Sequence, residues 1–565
     1  MSDNLQIIFG LFGGLAIFIY GMNLMSECLQ KAAGEKMKSI LAMLTKNPFL
    51  GVLAGLITTA VLQSSSATTV MAIGFVSAGL MSLPQAISII LGANIGTTMT
   101  AQIIAFKISD YIYVFVFLGF IVSFVTKSEK VKNIGQTIFA FGLLFLGIET
   151  MGDVMKPLAS SPVFTNMIAQ VADIPVLGVA VGTLMTLVVQ SSSATIAVLQ
   201  NFASQAGPDG VTSILGLAGA IPILFGDNIG TTITALLASI GQSKDAKRTA
   251  VAHCVFNISG CLLFIWFVDP YAAFIQKISP NGPEVEVISR QIANAHTIFN
   301  LTMTIIWMFL ITKVMVPIVM KLVPDGKKQL DDPMEPKYLD ENLIGQPAAA
   351  LQLVAKEMLH CSNVVRELIL DTIEVVKKED KSLLQKLNEK AEVAKHLNEK
   401  ITEYLADLFS AGVLTEDQAT HTAGIMYVLS DVERMASLCQ EVSSSVKDKL
   451  DKKYKFSREA MKELEKSLKL IAEMYEESLQ IMETGNKENA RKIAKKKGKI
   501  LDLDIDMRKA HMARVSKGKC EANLTVPYNK ILHAIDRMGN SCVNIADAAL
   551  ETLDIQYFIA IEQEQ

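Results

Sequence analysis

Charged side chains are scarce in the first 322 residues of this 565-residue chain, which hold 16 of its 52 Lys and Arg residues and 14 of its 56 Asp and Glu residues. The remaining 243 residues hold the other 36 basic and 42 acidic side chains, a net charge of about −6 (36 − 42). This division predicts a membrane domain, 1–322, followed by a mildly acidic soluble part. No strongly basic stripe occurs, so a nucleic-acid partner is not expected.

Cysteine is also rare, and the seven that occur form no CxxC pair and no disulfide-like spacing. We therefore expect free thiols, with the soluble part in a reducing compartment. The chain lacks a nucleophile–base set, a Walker loop and a nucleotide-binding fingerprint, so neither an enzyme nor ATP-driven transport is predicted. The N-terminal Met-Ser-Asp-Asn has no basic segment, and 5–25 is predicted to be a retained span rather than a cleaved signal peptide.

One polar hexapeptide, Gln-Ser-Ser-Ser-Ala-Thr, occurs twice within otherwise apolar sequence, at Gln63–Thr68 and at Gln190–Thr195. A gap-free alignment of 48–70 with 175–197 gives 13 identities in 23 positions. Hydroxyls and amides are costly in a hydrophobic segment of bilayer length unless something polar binds them. The two hexapeptides are therefore predicted to be half-sites of one binding site.

A second pattern, Gly-x-Asn-Ile-Gly-Thr-Thr, follows each hexapeptide, at Gly92–Thr98 and at Gly226–Thr232. Two patterns in the same order predict a duplicated unit, with repeats at about 1–126 and 127–268. The glycines of this pattern serve close helix packing, local unwinding, or both.

Seven apolar stretches are long enough to cross a bilayer: 5–26, 84–106, 110–126, 134–155, 212–240, 249–268 and the final span at 291–319. The two stretches with hexapeptides have apolar arms of about 14 residues, which cover only about 21 Å of a roughly 30 Å hydrocarbon core. Each is predicted to be a re-entrant hairpin whose polar tip lies at mid-membrane and is shielded by protein.

Orientation follows from the short basic loops, at 31–46, 127–132, 244–248 and 321–328, which are expected on the cytoplasmic side. The chain is thus predicted to be a multi-pass protein of the plasma membrane, with its N-terminus outside and its C-terminal domain in the cytoplasm. This topology turns the two repeats in opposite directions, as in secondary transporters whose site lies at the midplane.

The hexapeptides offer hydroxyl donors without a nearby Lys or Arg, which suits a tetrahedral oxyanion whose charge is balanced by co-bound cations. Hard oxygen ligands of the kind that Na⁺ takes come from the Gln, Asn and Thr side chains of both patterns. Asp227 is the one carboxylate within a repeated pattern, opposite Ala93 in the first copy. It is a cation ligand, a group at the level of the lipid headgroups, or a structural group.

Two histidines, His253 and His296, each open a His-x-x-Phe-Asn pattern that ends at Asn257 and Asn300. Helical spacing places the histidine and the asparagine on one face of a helix. A packed polar contact is favoured there over a ligand or a proton relay.

The paired Gln-Ser-Ser-Ser motifs, each followed by Gly-x-Asn-Ile-Gly-Thr-Thr, resemble the sodium-dependent phosphate cotransporters of the type II class over residues 1–320. The resemblance implies inorganic phosphate and Na⁺ at the hairpin tips, alternating access driven by ion gradients, and a homodimer. By this resemblance the phosphate cradle is formed by Ser64, Ser65, Ser66, Ser191, Ser192 and Ser193, with Asn94 and Asn228 beside it. Mostly cation ligands are implied at Gln63, Thr68, Thr97, Thr98, Gln190, Thr195, Thr231 and Thr232, and Asp227 joins them as a candidate.

The soluble part begins after a Pro- and charge-rich linker, 323–344, and its helical periodicity predicts two three-helix bundles within 345–555. It resembles the PhoU family of cytosolic phosphate-signalling domains. That family's metal motif has a further acidic residue where this chain has Ser437 and Asn540, so no metal site is expected. The remaining acidic residues are predicted to form a solvated helix face; they are Asp431, Glu433, Asp536 and Asp547.

The sequence therefore predicts an all-α protein that carries inorganic phosphate with Na⁺. Its cytoplasmic domain is expected to respond to phosphate, with cytosolic phosphate-signalling proteins as candidate partners. A phosphate exporter of the same fold and a membrane phosphate receptor that signals without turnover are the alternatives.

Overall fold

The computed structural model describes residues 3–42, 47–106, 111–159, 170–171, 173–207, 209–325, 332–412, 414–452, 454–484 and 487–551. These residues are helical apart from turns, short connections and one isolated antiparallel bridge between Ala206 and Ser213. The all-α class is thus confirmed for the described part of the chain. The chain divides into two compact units, Met1–Lys327 and Lys328–Gln565.

The helices of the first unit are α1 (Asp3–Ala42), α2 (Pro48–Leu62), α3 (Ser65–Ser77), α4 (Leu83–Ile104), α5 (Ile112–Val125), α6 (Glu129–Ala159), α7 (Pro175–Val189), α8 (Ser192–Ala203), α9 (Gly216–Gly230), α10 (Thr232–Ala238), α11 (Lys244–Phe264), α12 (Val268–Ile278), α13 (Glu284–Met308) and α14 (Val316–Leu322). Short 3₁₀ and π segments, Ile265–Phe267 and Ile311–Met315, connect α11 with α12 and α13 with α14.

Helices α1 and α6 pack closely through glycines. A Cβ added to Gly21 would lie 2.8 Å from the backbone nitrogen of Leu144, and one added to Gly147 would lie 2.6 Å from the carbonyl oxygen of Gly14. Only glycine permits such an approach between two backbones. The corresponding first helices of the two repeats therefore lie side by side.

Five helices of the described part are long and apolar enough to cross a membrane: Gln6–Leu29, Leu83–Ile104, Glu129–Lys156, Gly216–Ala238 and Lys244–Ile278. A sixth is counted if Glu284–Met308 and Ile311–Leu322, bent by 73° at the break between them, form one span. The predicted span at 110–126 is the 14-residue helix α5, with many exposed apolar side chains.

The bend in the predicted final span, 291–319, has a local cause. The backbone N–H groups of Val314 and Met315 both donate to the carbonyl oxygen of Leu310, at 2.9 and 3.0 Å, which forms the π turn. Pro317 follows with no N–H to donate and with a ring that excludes the carbonyl four residues earlier. The apolar pattern predicted the length of this segment but did not predict that its helix is interrupted.

The second unit contains two sets of three helices: α15 (Pro347–Lys378), α16 (Lys381–Ser410) and α17 (Glu416–Asp451), then α18 (Arg458–Thr484), α19 (Lys487–Ser516) and α20 (Thr525–Glu551). Each set packs as a bundle, and α15 packs on α18 while α17 packs on α20. The apolar side chains at helical spacing, for example Leu351, Val354 and Met358, are fully buried.

The acidic residues of this unit do not share one environment. Glu433 and Asp547 are exposed and Asp536 is half-buried, but Asp431 is only 4% exposed and accepts a hydrogen bond from Asn544 at 3.3 Å. The prediction of a solvated face is therefore wrong for Asp431, because it lies where α17 packs against α20. Among the described residues, no group of three or more His, Cys, Asp or Glu is placed to hold a metal ion, and all seven cysteines are free thiols.

The end of the predicted linker is held against the second unit. Glu357 accepts a hydrogen bond from the backbone N–H of Tyr338 at 2.6 Å, and the hydroxyl of Tyr404 donates to the carbonyl of Asp340 at 2.7 Å. Burial raises the pKa of Glu357 to about 6. Residues 338–340 are thus fixed to the bundle before its first helix begins.

Candidate functional site

The two hexapeptides adopt the same backbone conformation. Gln63 (φ 51°, ψ 24°) and Gln190 (φ 53°, ψ 25°) end helices α2 and α7 in the left-handed region. Ser64 (φ −148°, ψ 107°) and Ser191 (φ −143°, ψ 106°), in extended backbone, then cap the N-termini of α3 and α8. Glutamine in the left-handed region costs about 1–2 kcal/mol, and Glu379 is the only other non-glycine residue of the described part with positive φ. The same unusual turn occurs twice, between helices of 12 to 15 residues.

The serine that caps each second helix leaves its hydroxyl proton free. Ser64 Oγ accepts from the N–H of Ala67 at 3.2 Å, and Ser191 Oγ accepts from the N–H of Ala194 at 3.3 Å. A hydroxyl that accepts through its oxygen keeps its proton for another acceptor. The first turns of α3 and α8 also carry amides without an intrahelical partner, which favour an anion.

The threonine that ends each hexapeptide is held by a threonine of the preceding helix. Thr59 Oγ1 lies 2.8 Å from Thr68 Oγ1, and Thr186 Oγ1 lies 3.1 Å from Thr195 Oγ1. These contacts tie the two helices together on either side of the polar turn. Thr59 and Thr186 are identical residues in the repeat alignment, and that identity was the signal that could have identified them as site residues.

Parts of the two repeats come together at the hexapeptides. Thr234 Oγ1 lies 3.2 Å from Ser66 Oγ, so a residue just beyond the second copy of the Gly-x-Asn pattern reaches the first hexapeptide. Its counterpart Thr100 donates instead to Gln63 Oε1 within the first repeat, at 3.0 Å. Gln200 of helix α8 donates to the carbonyl of Ala101 at 3.1 Å. Sequence reasoning missed Thr100 and Thr234, although both follow the Thr-Thr pair at the same offset.

The two glutamines differ in their surroundings. The amide of Gln63 is held at both ends, because its nitrogen also donates to the carbonyl of Ala60 at 2.6 Å. The side chain of Gln190 is exposed, and its backbone N–H donates to the carbonyl of Thr186 at 2.7 Å.

The asparagines of the Gly-x-Asn pattern make equivalent contacts. Asn94 Nδ2 donates to the carbonyl of Ile90, and Asn228 Nδ2 donates to the carbonyl of Leu224, both at 2.9 Å. Both side chains are 5% exposed. One N–H of each amide is therefore used within its own helix.

The four threonines of the pattern bond back to their own helices. Their hydroxyls donate to carbonyls three or four residues earlier at 2.7 to 3.1 Å. A hydroxyl that donates to its own helix retains an acceptor lone pair for a cation. These residues are Thr97, Thr98, Thr231 and Thr232.

Asp227 is completely buried. Its Oδ1 accepts from Thr186 Oγ1 at 2.7 Å, whereas its Oδ2 has no hydrogen-bond partner within the described part of the chain. The carboxylate lies behind the second hexapeptide, connected to Thr195 through Thr186.

The glycines of the pattern serve close packing. A Cβ on Gly92 would lie 1.9 Å from the carbonyl oxygen of Val52, and one on Gly226 would lie 2.0 Å from that of Val179. Helix α4 continues through Gly92 and Gly96, so the first copy is not unwound, whereas α9 ends at Gly230. Close helix packing therefore explains the glycines in both copies of the pattern. The helix is interrupted only in the second copy, where α9 ends at Gly230.

Comparisons with known proteins relate the chain to two families. A family model described as Na+/Pi-cotransporter matches residues 17–153 and 149–279, and one described as PhoU domain matches 358–446 and 464–549. The uncharacterised protein YqeW of Bacillus subtilis is 31% identical over 294 residues, which are 52% of this chain and 91% of that protein.

Two further relatives differ in coverage. YjbB of Salmonella typhimurium, whose name proposes inorganic phosphate export, is 23% identical to this chain. The alignment covers 96% of this chain and 97% of YjbB. The sodium-dependent phosphate transport protein 2A of Rattus norvegicus is 35% identical over 97 residues, which are 17% of this chain and 15% of its own. No solved structure matches the chain.

Proposed function

This chain belongs to the Na+/Pi-cotransporter family, a family of phosphate transporters and not of enzymes, and from that premise we propose that it is a sodium-coupled transporter of inorganic phosphate. The observation that carries the proposal is the pair of polar turns with the same backbone conformation, together with the contact by which Thr234 of the second repeat reaches Ser66 in the first turn. A substrate held between two repeats is exposed alternately to the two sides of a membrane when one repeat moves against the other.

Phosphate is assigned to the hydroxyl and amide donors of both turns: Ser64, Ser65, Ser66, Ser191, Ser192 and Ser193, with Asn94 and Asn228. The free protons of the capping serines and the amides of two helix N-termini supply donors without a basic side chain. The charge of the bound anion then has to be balanced by co-bound cations.

Sodium is assigned to the oxygen acceptors around the same turns: Gln63, Thr68, Thr97, Thr98, Gln190, Thr195, Asp227, Thr231 and Thr232. The buried carboxylate of Asp227 supports this assignment, because an unpaired negative charge in the interior is costly and a bound Na⁺ offsets that cost. The family to which the chain belongs also fits Na⁺ as the coupling ion.

For the topology we propose two inverted repeats with re-entrant hairpins, within a membrane domain at 1–322. The N-terminus is outside, and a linker at 323–344 leads to the cytoplasmic domain at 345–555. Support comes from the basic loops and from the length of the hexapeptide helices, about 18 to 23 Å at 1.5 Å per residue. The functional form is proposed to be a homodimer.

Net export is the second candidate for the direction of transport. It is favoured because YjbB, whose name proposes export, covers both units of this chain. An exporter could use its PhoU domain to respond to excess phosphate inside the cell.

Purified protein in proteoliposomes tests the proposal. We expect an imposed Na⁺ gradient to drive radiolabelled phosphate into the vesicles against its own gradient, and an equal K⁺ gradient not to do so. Reversing the Na⁺ gradient should reverse the flux. High-affinity phosphate binding without any flux would contradict the proposal and favour a receptor.

Removal of the second unit should leave phosphate flux intact but abolish its response to phosphate inside the vesicles. The truncation belongs after Lys327, because Arg248 donates to the carbonyl of Val323 at 2.9 Å and pairs with Asp325 at 2.6 Å. A cut before Asp325 would leave a buried guanidinium with one partner fewer. If flux and its response to internal phosphate are both unchanged by the truncation, the regulatory role is wrong.

A further inference from the structure

The His-x-x-Phe-Asn pattern proves to be a third duplicated element of the site. His253 Nε2 lies 3.2 Å from Asn94 Oδ1, and His296 Nε2 lies 3.3 Å from Asn228 Oδ1. Helices α11 and α13 thus make the same contact with the first and the second copy of the Gly-x-Asn pattern. Both histidines are at most 2% exposed.

The hydrogen-bond partners determine the orientation of the side-chain amide in each asparagine of the Gly-x-Asn pattern. The carbonyls of Ile90 and Leu224 can only accept, so the side-chain nitrogens of Asn94 and Asn228 face them and the oxygens face the histidines. An oxygen can only accept, so each Nε2 carries the proton. One N–H of each asparagine then remains free for an anion.

The asparagines that end the His-x-x-Phe-Asn pattern, Asn257 and Asn300, have a free acceptor oxygen instead of a free N–H. Asn257 Nδ2 donates to the carbonyl of His253 at 3.3 Å, and Asn300 Nδ2 donates to that of His296 at 3.0 Å. Both side chains are completely buried, and neither Oδ1 has a hydrogen-bond partner among the described residues. Asn300 also lies 3.4 Å from Asn228 Oδ1.

A buried amide oxygen without a donor is costly, by about 1–3 kcal/mol in mutational data. Asp227 Oδ2, next to Asn228 in the chain, and His296 Nδ1, one helical turn before Asn300, are also buried acceptors without a hydrogen-bond partner among the described residues. Oxygen acceptors in this environment suit a hard cation, and helices α11 and α13 pack against the hexapeptide helices α3 and α8 respectively.

We propose that Asn257 and Asn300 each supply an amide-oxygen ligand to a sodium ion, one in each half of the site. His253 and His296 are positioning residues, which hold Asn94 and Asn228 so that an N–H of each stays free for phosphate. This inference rests on the proposed function. Since the second Gly-x-Asn pattern contains a carboxylate, Asp227, where the first has Ala93, the sodium ion bound by Asn300 is held more tightly than the one bound by Asn257.

Sodium binding is measured first, on the purified full-length protein without phosphate, as thermal stabilisation by NaCl compared with choline chloride. We expect Asn300→Leu to raise the half-saturating Na⁺ concentration about tenfold and Asn300→Asp, which keeps an oxygen, to restore or lower it. Asn294→Leu on the same helix is the matched control. The amide of Asn294 is partnered at both ends, by Gln102 and Ser279, so this variant should lose stability but keep the wild-type Na⁺ dependence.

Phosphate binding by calorimetry at saturating Na⁺ tests the histidines. His296→Leu should raise the phosphate Kd about tenfold, and His296→Gln, which keeps an N–H near the same place, should recover most of the loss. An unchanged Na⁺ dependence in both Asn257→Leu and Asn300→Leu would overturn the sodium ligands, even if Na⁺-driven flux is observed. If the wild-type protein neither binds Na⁺ nor shows Na⁺-driven flux, the proposed function itself fails.

Discussion

Replacing Ser65 or Ser192 by alanine is expected to lower the initial rate of sodium-driven phosphate transport by about 10- to 150-fold. Each serine begins the helix that follows its hexapeptide turn and is 8% exposed. A hydrogen bond to a charged partner contributes about 1.5–3 kcal/mol, and a deleted hydroxyl leaves that part of the anion desolvated and unpaired. If the two hydroxyls act independently, the double variant should approach complete loss. Radiolabelled phosphate uptake into proteoliposomes measures the rate.

Serines at the far ends of the same helices are the controls. Ser77 donates to Gln242 at 2.6 Å, and Ser204 donates to the carbonyl of Gln200 at 2.8 Å. Their alanine variants should keep transport within about twofold of the wild-type rate. Calorimetry on the folded Ser65→Ala and Ser192→Ala proteins measures phosphate binding directly. It therefore separates a loss of binding from a loss of the conformational change that moves phosphate across the membrane. Wild-type phosphate affinity and rate in both variants would remove the hexapeptides from the site.

Adding one methyl group at Gly92 or Gly226 is expected to be among the most destabilising small changes in the first unit. The new Cβ would lie 1.9 or 2.0 Å from a backbone carbonyl of the neighbouring helix, and no side chain can move aside to relieve that contact. Inserting a methylene into a packed core typically lowers the free energy of unfolding by about 1–3 kcal/mol. A clash with backbone atoms is expected to lower it by about 3 kcal/mol or more. Gly92→Ala and Gly226→Ala should therefore lower the unfolding temperature strongly and reduce the amount of folded protein in the membrane.

Gly13→Ala is the matched control for these two variants. Nothing lies within 4 Å of a Cβ added there, and alanine is favoured over glycine in a helix by about 0.8–1 kcal/mol. It should leave the unfolding temperature unchanged or slightly higher. The unfolding temperatures of the three variants are compared by heating detergent-solubilised protein and measuring the folded fraction that remains by size-exclusion chromatography. Equal stability of Gly92→Ala and Gly13→Ala would contradict the close approach of α2 and α4.

Repetition in the sequence predicted much of the local structure of the candidate site. The two hexapeptides differ by no more than 5° in the backbone angles of their Gln and first Ser, so the same local sequence produces the same strained turn in both places. Apolar periodicity likewise predicted the six helices of the second unit. These features depend on residues close together in the chain, whose preferences a sequence displays directly.

Contacts between distant residues could not be read in the same way. The pairing of His253 with Asn94 and that of Thr234 with Ser66 join residues 159 and 168 positions apart. Helical spacing shows which side chains share a face but not which helix covers that face. This is also why Asp431, on a face expected to be solvated, is buried beside Asn544.

By itself the sequence determined the duplication, the apolar lengths and the two polar turns, because each follows from short-range preferences and from the cost of polar groups in an apolar segment. Only the tertiary structure decided that Thr234, just beyond the second Gly-x-Asn pattern, reaches the first hexapeptide, that histidines orient the two asparagines, and that Asp227 is buried with one oxygen unpaired. The physical reason is that these contacts are created by close helix packing, which brings residues together that no periodicity relates.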